Sequence, residues 1–453
     1  MKNLILNTDS YKASHYLQYP PKSEFISSYI EARGGEFKEI LFFGLQAFIK
    51  EYLLTPITQN DIDEADEIFE LHQVPFYADG WQYILDTYEG FLPLKIEAIP
   101  EGTIAPTSTA LVQVINTDPK CFWLTSYIET SLLRAIWYPT TVATISWRIK
   151  NLIKSYMLET AENCDGLEFK LHDFGSRGVS SNESSTLGGM AHLINFMGTD
   201  NINAIMGARK FYDCKMAGFS IPATEHSTIT SWGKDNEVEA YRNMLRQFAK
   251  PNSLVAVVSD SYDIFNAVSK IWGEDLKEEA IDSGATVIIR PDSGEPKEIV
   301  VEVLKRLYEK FGGEINSKGY IELHPAVRVI QGDGIEESSI KEILENMKAH
   351  KFSAVNIAFG MGGALLQHAN RDTLSFAMKA SAIQIDGKWR DVYKDPITDS
   401  GKRSKKGRLA VQKDDLKTVR IEDLKGQNLM QPIFKNGKLL IDLNFDEVKK
   451  NLL

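Results

Sequence analysis

Four short apolar runs between residues 253 and 363 each end at a cluster of Gly, Asp, Ser or Arg, and a helical pattern follows. The runs cover residues 254–258, 286–289, 327–330 and 355–359. Short β-branched runs bounded by Gly and Asp are typical of strands buried on both faces, and intervening helices imply parallel pairing. The sequence therefore predicts an α/β domain whose ligand binds at the carboxyl ends of these strands.

The clusters that follow the four runs combine backbone amides, cations and carboxylates. They read Ser-Asp-Ser-Tyr-Asp at 259–263, Arg-Pro-Asp-Ser-Gly at 290–294, Gln-Gly-Asp-Gly at 331–334 and Gly-Met-Gly-Gly at 360–363. This mixture suits a ligand with both phosphate and sugar hydroxyl groups. The last cluster places backbone N–H groups at a predicted helix N-terminus, as phosphate sites do. A tight turn without a ligand explains that cluster equally well.

Composition and charge exclude several classes of protein. The chain has 453 residues, 43% hydrophobic and 25% charged, as ordinary globular proteins do. Its net charge of −11 argues against nucleic acid and anionic membrane as partners, so an anion would need a local cationic pocket. No apolar run approaches the ~20 residues of a membrane span. The N-terminus reaches Asn7-Thr8-Asp9 too soon for a signal peptide. Three cysteines without CxxC spacing predict reduced thiols, and we expect a cytoplasmic protein.

Three regions are predicted along the chain. Residues 1–160 form an N-terminal α+β region, residues 161–378 a (β/α) barrel-like domain, and residues 379–453 a segment that completes the α+β domain. Hairpins are expected to turn at Asp386-Gly387 and Asn436-Gly437. Asn60 is predicted to cap a helix over 60–71, and helical patterns cover 43–53, 123–136 and 141–158. The predicted fold class is α/β, with a central irregular (β/α) barrel-like domain flanked by an α+β domain built from both chain ends.

Three other features carry candidate functional residues. His226 lies among hydroxyl residues after the rigid segment 221–223, although a single histidine is more often structural. Residues 402–408 are the densest cationic run, which predicts either a solvated loop or a mobile anion-binding segment. Arg371 is predicted one to two turns into the helix after Gly363, where it would add positive charge to the glycine-rich cluster; an ordinary surface arginine is the alternative.

Taken together, the motifs resemble those of the nicotinamide phosphoribosyltransferase family. The resemblance covers essentially the whole chain in order. It is carried by Asp9-Ser10-Tyr11-Lys12, residues 15–21, 171–181, 198–200 and 222–230, the four strand-end clusters and residues 402–407. It implies a type II phosphoribosyltransferase that joins nicotinamide to 5-phosphoribosyl 1-pyrophosphate with Mg²⁺. The products are nicotinamide mononucleotide and pyrophosphate, in NAD salvage. It also implies ATP as an optional coupling substrate that phosphorylates His226.

The resemblance further implies roles for individual residues. Phe174 and Tyr11 sandwich the pyridine ring, with Tyr11 supplied by the second subunit of a homodimer, and Asp200 accepts a hydrogen bond from the carboxamide. The phosphate, nucleotide and remaining substrate contacts that it implies are Arg177, Ser220, Ala223, His226, Arg290, Asp292, Gly332, Asp333, Gly362, Gly363, Arg371, Lys394 and Lys402. The catalytic set is His226, Asp263 and Asp292, and the metal ligands are not assigned. Ser176 departs from the tyrosine of animal members.

The predicted chemistry follows from breaking the bond between ribose C1′ and pyrophosphate. This leaves an oxocarbenium-like sugar and a charged leaving group, which Arg177, Arg290 and protonated His226 are suited to stabilise. Asp263 and Asp333 would accept hydrogen bonds from ribose hydroxyls or Mg²⁺-bound water. The reaction needs no protein nucleophile, so we expect no covalent sugar intermediate.

Three alternatives remain open. A nicotinate phosphoribosyltransferase would run the same reaction on a carboxylate substrate. A phosphate-binding barrel aldolase or isomerase would need a catalytic Lys or Glu at a strand end, and the four clusters contain neither. A non-enzymatic nucleotide-binding protein would bind its ligand without turnover.

Overall fold

The computed structural model describes residues 3–398 and 403–452. The chain divides into two compact units. The first comprises Met1–Thr144, Gly207–Lys215 and Ala369–Leu453, and the second comprises Ile145–Met206 and Met216–His368. The domain boundaries inferred from sequence, at residues 160 and 378, stay predictions. No helix within the described ranges is both long and apolar enough to cross a membrane.

The first unit is built on an antiparallel sheet to which both ends of the chain contribute. Its strand order is Lys388–Asp391, Phe376–Ile385, Ser23–Ala32, Ala110–Asn116, Leu94–Ala98, Gln431–Lys435 and Lys438–Leu439. Buried and half-buried residues alternate along Leu94–Ala98, the pattern of a strand with one face on the core. Two shorter pairs join Glu39–Leu41 to Ile104–Pro106 and Leu409–Val411 to Thr418–Arg420.

Both predicted hairpins are confirmed. Asp386 and Gly387 have φ angles of 53° and 74°, and Asn436 and Gly437 have φ angles of 47° and 77°. Two successive left-handed residues make the turn whose twist matches that of antiparallel strands, and Asn-Gly and Asp-Gly adopt it most easily.

The helices of the first unit differ from the predictions in three places. Asn60 lies inside the helix Gln59–Leu71, which Thr58 caps instead through reciprocal bonds with Asp61. The predicted helix over 43–53 is a short α-helix that continues as one π-helical turn. The predicted helices 123–136 and 141–158 become the short helix Leu124–Tyr127 and one long helix with Pro139 inside it. Helical bounds are Leu45–Phe48, Gln59–Leu71, Ala78–Tyr88, Leu124–Tyr127, Glu129–Thr160 and Phe445–Lys450, with 3₁₀ turns at Ser10–Leu17, Pro119–Cys121, Arg371–Thr373 and Ile421–Asp423.

The second unit is built on a parallel sheet, and all four runs predicted as strands take part in it. The strand order is Gly198–Thr199, Leu171–Asp173, Ile357–Met361, Val327–Gln331, Thr286–Arg290 and Leu254–Val258. Its main helices are Asn182–Leu193, Glu237–Phe248, Pro296–Phe311 and Glu337–Ala349, with shorter ones at His226–Thr230, Ile264–Asn266, Lys277–Asp282 and Gly363–Leu366. The helices Glu129–Thr160 and Ile202–Tyr212 are each divided between the two units. A small antiparallel pair, Gly313–Ile315 with Ile321–Leu323, follows the helix that ends at Phe311.

One irregular segment bridges the two edges of this parallel sheet. Phe219 forms a parallel bridge to Gly198 on one edge strand, and Ala223 forms one to Ala256 on the other. Backbone N–H groups of Thr224 and Ala256 complete the second contact, at 3.1 and 2.9 Å. The sheet therefore curls into an irregular, barrel-like form, which confirms the predicted fold class.

The helix after the glycine-rich turn is shorter than expected. It ends at Leu366, so the prediction that Arg371 lies within it is wrong. The Asn370 side chain accepts hydrogen bonds from the N–H groups of Asp372 and Thr373 and thereby starts a separate 3₁₀ turn. Local side-chain bonds of this kind compete with helix continuation.

Candidate active site

An apolar cavity of about 580 Å³ runs through the barrel of the second unit. Successive strands contribute Ala256, Ile288 and Ile330 to its wall, and Phe174 and Ala358 pack against them. Because side chains alternate along a strand, these residues share one face of the sheet. The volume and the mainly apolar lining of the cavity are those of a small-molecule binding site.

Phe174 is held at the carboxyl end of its strand by close backbone packing. Its N–H donates to the Met361 carbonyl at 2.9 Å. A Cβ atom at Gly360 would lie 1.9 Å from the Phe174 ring, so only glycine allows the ring this position. Gly332 approaches the same ring, with a Cβ position 3.5 Å away. Gly360, which the sequence indicated only as part of a phosphate-binding turn, is therefore also needed to accommodate the aromatic ring.

Asp200 and Ser220 form the polar end of the cavity beside Phe174. Asp200 directly follows the short strand Gly198–Thr199, and its N–H donates to the Asp173 carbonyl at 3.1 Å. The Ser220 hydroxyl donates to Asp200 Oδ1. A planar ring stacked on Phe174 would thus meet a carboxylate at the edge of the cavity. Ala223 lines the same cavity.

A chain of hydrogen bonds links His226 to Arg290 across the carboxyl ends of two strands. His226 Nε2 lies 3.0 Å from Asp260 Oδ1, and Asp260 Oδ2 accepts the Asp292 N–H at 3.1 Å. Asp292 Oδ2 in turn accepts from Arg290 Nη2 at 2.8 Å. His226 begins a short helix and is exposed, whereas the Asp260 side chain is only 3% exposed. The buried carboxylate therefore orients an imidazole that solvent and ligands can reach.

The glycine-rich clusters after two strands enclose a second cavity, of about 440 Å³. Gly332 and Asp333 line one side of it, and Gly362 and Gly363 line the other. At Gly362 and Gly363 a Cβ atom would meet no neighbour within 4 Å, so each backbone has open space on its Cβ side. Glycine-rich turns of this kind can accommodate phosphate oxygens close to the backbone.

Two other predicted residues of the second unit lie in turns. Arg177 is exposed within the 3₁₀ turn Ser176–Gly178. Asp263 caps the helix Ile264–Asn266, where Oδ1 accepts the N–H groups of Phe265 and Asn266 at 2.9 and 3.1 Å. One oxygen of Asp263 is thus occupied by the backbone, and its catalytic role stays a prediction.

Tyr11, Arg371 and Lys394 belong to the first unit. Tyr11 is 58% exposed on the Ser10–Leu17 turn. Arg371 pairs with Asp372 at 2.8 Å, and the Lys394 N–H donates to Ser404 Oγ at 2.8 Å. Lys402 lies outside the described residues.

Several polar residues of the barrel carried no role in the sequence-based prediction. Asp260 lies in the cluster 259–263 that follows the strand Leu254–Val258, but sequence spacing did not indicate that it would contact His226. Lys170 and Arg328 line the cavity at the amino ends of their strands. Lys170 donates to the Val355 and Ile357 carbonyls, and burial beside Arg328 lowers its pKa to about 7. Only the strand pairing reveals that Lys170 and Arg328 line the same cavity.

Two solved structures share the fold of this chain over nearly its whole length. Nicotinate-nucleotide pyrophosphorylase from Pyrococcus furiosus matches with a TM-score of 0.61 at 17% identity, over 99% of this chain and 95% of that one. Human nicotinic acid phosphoribosyltransferase matches with a TM-score of 0.54 at 16% identity, over 98% and 92%. These similarities define the class of fold.

Sequence comparison defines the family. The model of the nicotinate phosphoribosyltransferase (NAPRTase) family matches residues 169–438, and that of the nicotinamide phosphoribosyltransferase N-terminal domain matches residues 3–96. A nicotinamide phosphoribosyltransferase of Xanthomonas campestris is 50% identical over 99% of this chain and 98% of its own length. One from Acinetobacter baylyi is 32% identical over 98% and 96%. The chain belongs to the nicotinamide phosphoribosyltransferases within this larger family.

Proposed function

We propose that this protein transfers the phosphoribosyl group of 5-phosphoribosyl 1-pyrophosphate to nicotinamide, as its family membership and site chemistry indicate. The observation that carries the proposal is the apolar cavity that ends at Phe174, Asp200 and Ser220. Phe174 offers a stacking surface to the pyridine ring, and Asp200 offers an acceptor to the carboxamide N–H. The product is nicotinamide mononucleotide, a precursor in NAD salvage.

The side chains fit a direct displacement at ribose C1′. The ring nitrogen donates its lone pair to C1′ while the C1′–oxygen bond breaks, and pyrophosphate leaves with that electron pair. The neutral ring becomes a pyridinium, so no proton has to move. Arg290 and Arg177 would neutralise the leaving charge, and the backbone N–H groups around Gly362 and Gly363 would hold the donor's 5′-phosphate.

The carboxylates at this edge fit a Mg²⁺ ion that binds together with the donor. Across residues 3–398 and 403–452, no cluster of three or more His, Cys, Asp or Glu side chains forms a metal site. Mg²⁺ commonly binds through one or two carboxylates plus substrate phosphates and water. We assign Asp292 and Asp333 to this ion because the chain brings them close together. Gly332 directly precedes Asp333, and a Cβ atom at Gly332 would lie 3.4 Å from Asp292 Oδ1. The ion would supply further charge neutralisation to pyrophosphate.

We also propose that His226 couples ATP hydrolysis to the transfer. It is exposed, and Asp260 accepts a hydrogen bond that would hold one ring nitrogen protonated, which leaves the other as a phosphoryl acceptor. His226→Ala should abolish ATP hydrolysis and ATP stimulation while a weaker ATP-independent transfer remains. ATP stimulation that persists in this variant would contradict the assignment.

We propose a homodimer with shared active sites, in which Tyr11 covers the ring that is bound by the other subunit. An exposed aromatic residue on an N-terminal turn is suited to cover a ring bound by another subunit. Inactive Tyr11→Ala and Arg290→Ala chains should regain partial activity when mixed, because one hybrid site is then wild type. Verified heterodimers without activity would contradict shared sites.

The central experiment supplies the purified protein with the phosphoribosyl donor, Mg²⁺ and either nicotinamide or nicotinate, and measures each mononucleotide. Nicotinamide mononucleotide as the main product supports the proposal. Preferential turnover of nicotinate would establish the carboxylate-specific alternative. Ligand binding without either product would establish a non-enzymatic nucleotide-binding protein.

A further inference from the structure

A buried hydrogen-bonded network in the second unit connects the two sides of the proposed nicotinamide site, Phe174 and Asp200, which we call the ring site. Asp173 is fully buried and directly precedes Phe174. Its Oδ1 accepts the Gly175 N–H at 2.7 Å, and its Oδ2 accepts from Asn201 Nδ2 at 3.0 Å. Asn201 directly follows Asp200. One carboxylate therefore binds the loop of the stacking ring and the neighbour of the carboxamide acceptor.

The network continues from Asn201 to the turn that carries Arg177. Ser185 donates to Asn201 Oδ1 at 3.0 Å, and Asn201 Nδ2 also donates to the Ser185 carbonyl at 2.9 Å. The Ser185 hydroxyl lies 2.8 Å from that of Ser176. Ser185 is 1% exposed and Asn201 is fully buried. A Cβ at Gly189 would lie 2.5 Å from Asn201 Nδ2, so the helix can approach the amide this closely only through a glycine.

We infer that Asp173, through Asn201 and Ser185, is a positioning residue that sets the distance between Phe174 and Asp200 for nicotinamide. This inference rests on the proposed function. Burial raises the pKa of Asp173 to about 6, so at pH 8 it is an ionised acceptor for both donors. A displacement of about 1 Å in a reactant-positioning group can reduce turnover on the order of a hundredfold.

Two variants weaken the network to different degrees. Asp173→Asn keeps the shape but presents one acceptor instead of two, so one donor loses its partner. Loss of a hydrogen bond to a charged group should raise the KM for nicotinamide about tenfold or more and lower kcat. Ser185→Ala removes only the bridging hydroxyl, because Asn201 Oδ1 still accepts from Ala204 N–H at 3.2 Å. Its nicotinamide KM should rise about threefold to tenfold.

A charge-swapped double variant tests the donor and acceptor pattern itself. When Asp173→Asn is combined with Asn201→Asp, the new amide at position 173 can donate to the new carboxylate at position 201 and still accept from the Gly175 N–H. The swap should therefore bring the nicotinamide KM part of the way back to the wild-type value, although Asn201→Asp removes the donor to the Ser185 carbonyl. Thr160→Val is the matched control, since Thr160 is also 1% exposed. Its hydroxyl accepts from Ala354 N–H and donates to the Tyr156 carbonyl, near the amino end of the strand Ile357–Met361.

The measurements are the KM for nicotinamide, the KM for the phosphoribosyl donor, kcat and the melting temperature. A positioning role predicts a nicotinamide KM that rises several-fold more than the donor KM, and partial recovery in the swap. The control should lose thermal stability with both KM values unchanged. If Asp173→Asn or Ser185→Ala folds and keeps the wild-type nicotinamide KM, the network is structural only and the inference is overturned. Wild-type protein that makes no nicotinamide mononucleotide would overturn the proposed function as well.

Discussion

Asp200→Asn is the substitution that separates charge from shape at the ring site. Asp200 lies beside Phe174 in the cavity wall, and the Ser220 hydroxyl donates to one of its carboxylate oxygens. Asparagine has the same shape and can still accept from Ser220. The variant should therefore fold normally while the negative charge at the edge of the ring is lost.

The expected preference of the wild type for nicotinamide has two contributions. A carboxamide N–H that donates to the carboxylate gains about 1.5–3 kcal/mol. A nicotinate carboxylate about 4 Å away is instead repelled, by about 1 kcal/mol in water and about 4 kcal/mol at an effective dielectric constant of 20. Because Asp200 is exposed in the free protein, we take the weaker repulsion as the lower bound. The sum is at least about 2.5 kcal/mol, or roughly a 70-fold preference.

In the Asp200→Asn variant the preference should narrow to less than about tenfold. Asparagine can accept from a carboxamide and can donate to a carboxylate, so it favours neither pyridine strongly. The nicotinamide kcat/KM should fall about tenfold, because the bond to a charged acceptor is replaced by a neutral one. The assay measures kcat/KM for nicotinamide and nicotinate at saturating phosphoribosyl donor, with separation of the two mononucleotides.

Ser220→Ala provides the matched control. It removes the hydroxyl that orients Asp200 but keeps the carboxylate charge, so nicotinate should remain excluded while nicotinamide turnover falls modestly. Equal kcat/KM values for both pyridines in the wild type would refute the claim that the Asp200 carboxylate selects nicotinamide. An unchanged preference in Asp200→Asn would show that another group selects the substrate.

Three further predictions concern other parts of the molecule. Arg371→Ala should raise the KM for the phosphoribosyl donor about tenfold and leave the KM for nicotinamide nearly unchanged. Steady-state kinetics with each substrate varied in turn measures both values. Glu101→Ala should lower the free energy of unfolding by about 3–5 kcal/mol in urea titrations. It leaves the buried N–H groups of Gly44 and Gln46 and the hydroxyl of Tyr212 without their acceptor. Burial lowers the pKa of Lys170 from 10.5 to about 7, so between these values the unfolded chain binds one more proton than the folded one. The stability of the wild type should therefore rise with pH from about 7 to 10, and Lys170→Met should remove that rise.

The sequence was most informative where local chemistry alone determines structure. Continuous apolar runs predicted four strands of the parallel sheet, because a strand that is buried on both faces is mostly apolar. Asp386-Gly387 and Asn436-Gly437 identified two hairpins, because few residues adopt two successive left-handed conformations. The order of motifs along the chain was enough to indicate the family.

Prediction from local sequence failed where contacts with other segments compensate for an unfavourable residue. The predicted helical patterns over 123–136 and 141–158 leave a gap that contains Pro139, yet Glu129–Thr160 is continuous. The chain at Gly44 packs against this proline, with a Cβ position 2.4 Å from the proline ring. Thr140 Oγ1 bonds both the N–H and the carbonyl of Phe43. Tertiary contacts thus hold a helix that its own sequence would interrupt.

The sequence by itself determined which residue types line the site, because strand ends, glycine turns and charged clusters are local patterns. Only the tertiary structure decided which of them meet. The bond between His226 and Asp260 joins segments 34 residues apart, and that between Asp173 and Asn201 joins segments 28 residues apart. The segment from Phe219 to Ala223, which has no strand pattern of its own, joins both edges of the sheet. Such contacts depend on strand order and on close approach at glycines, and neither is encoded by spacing along a single chain.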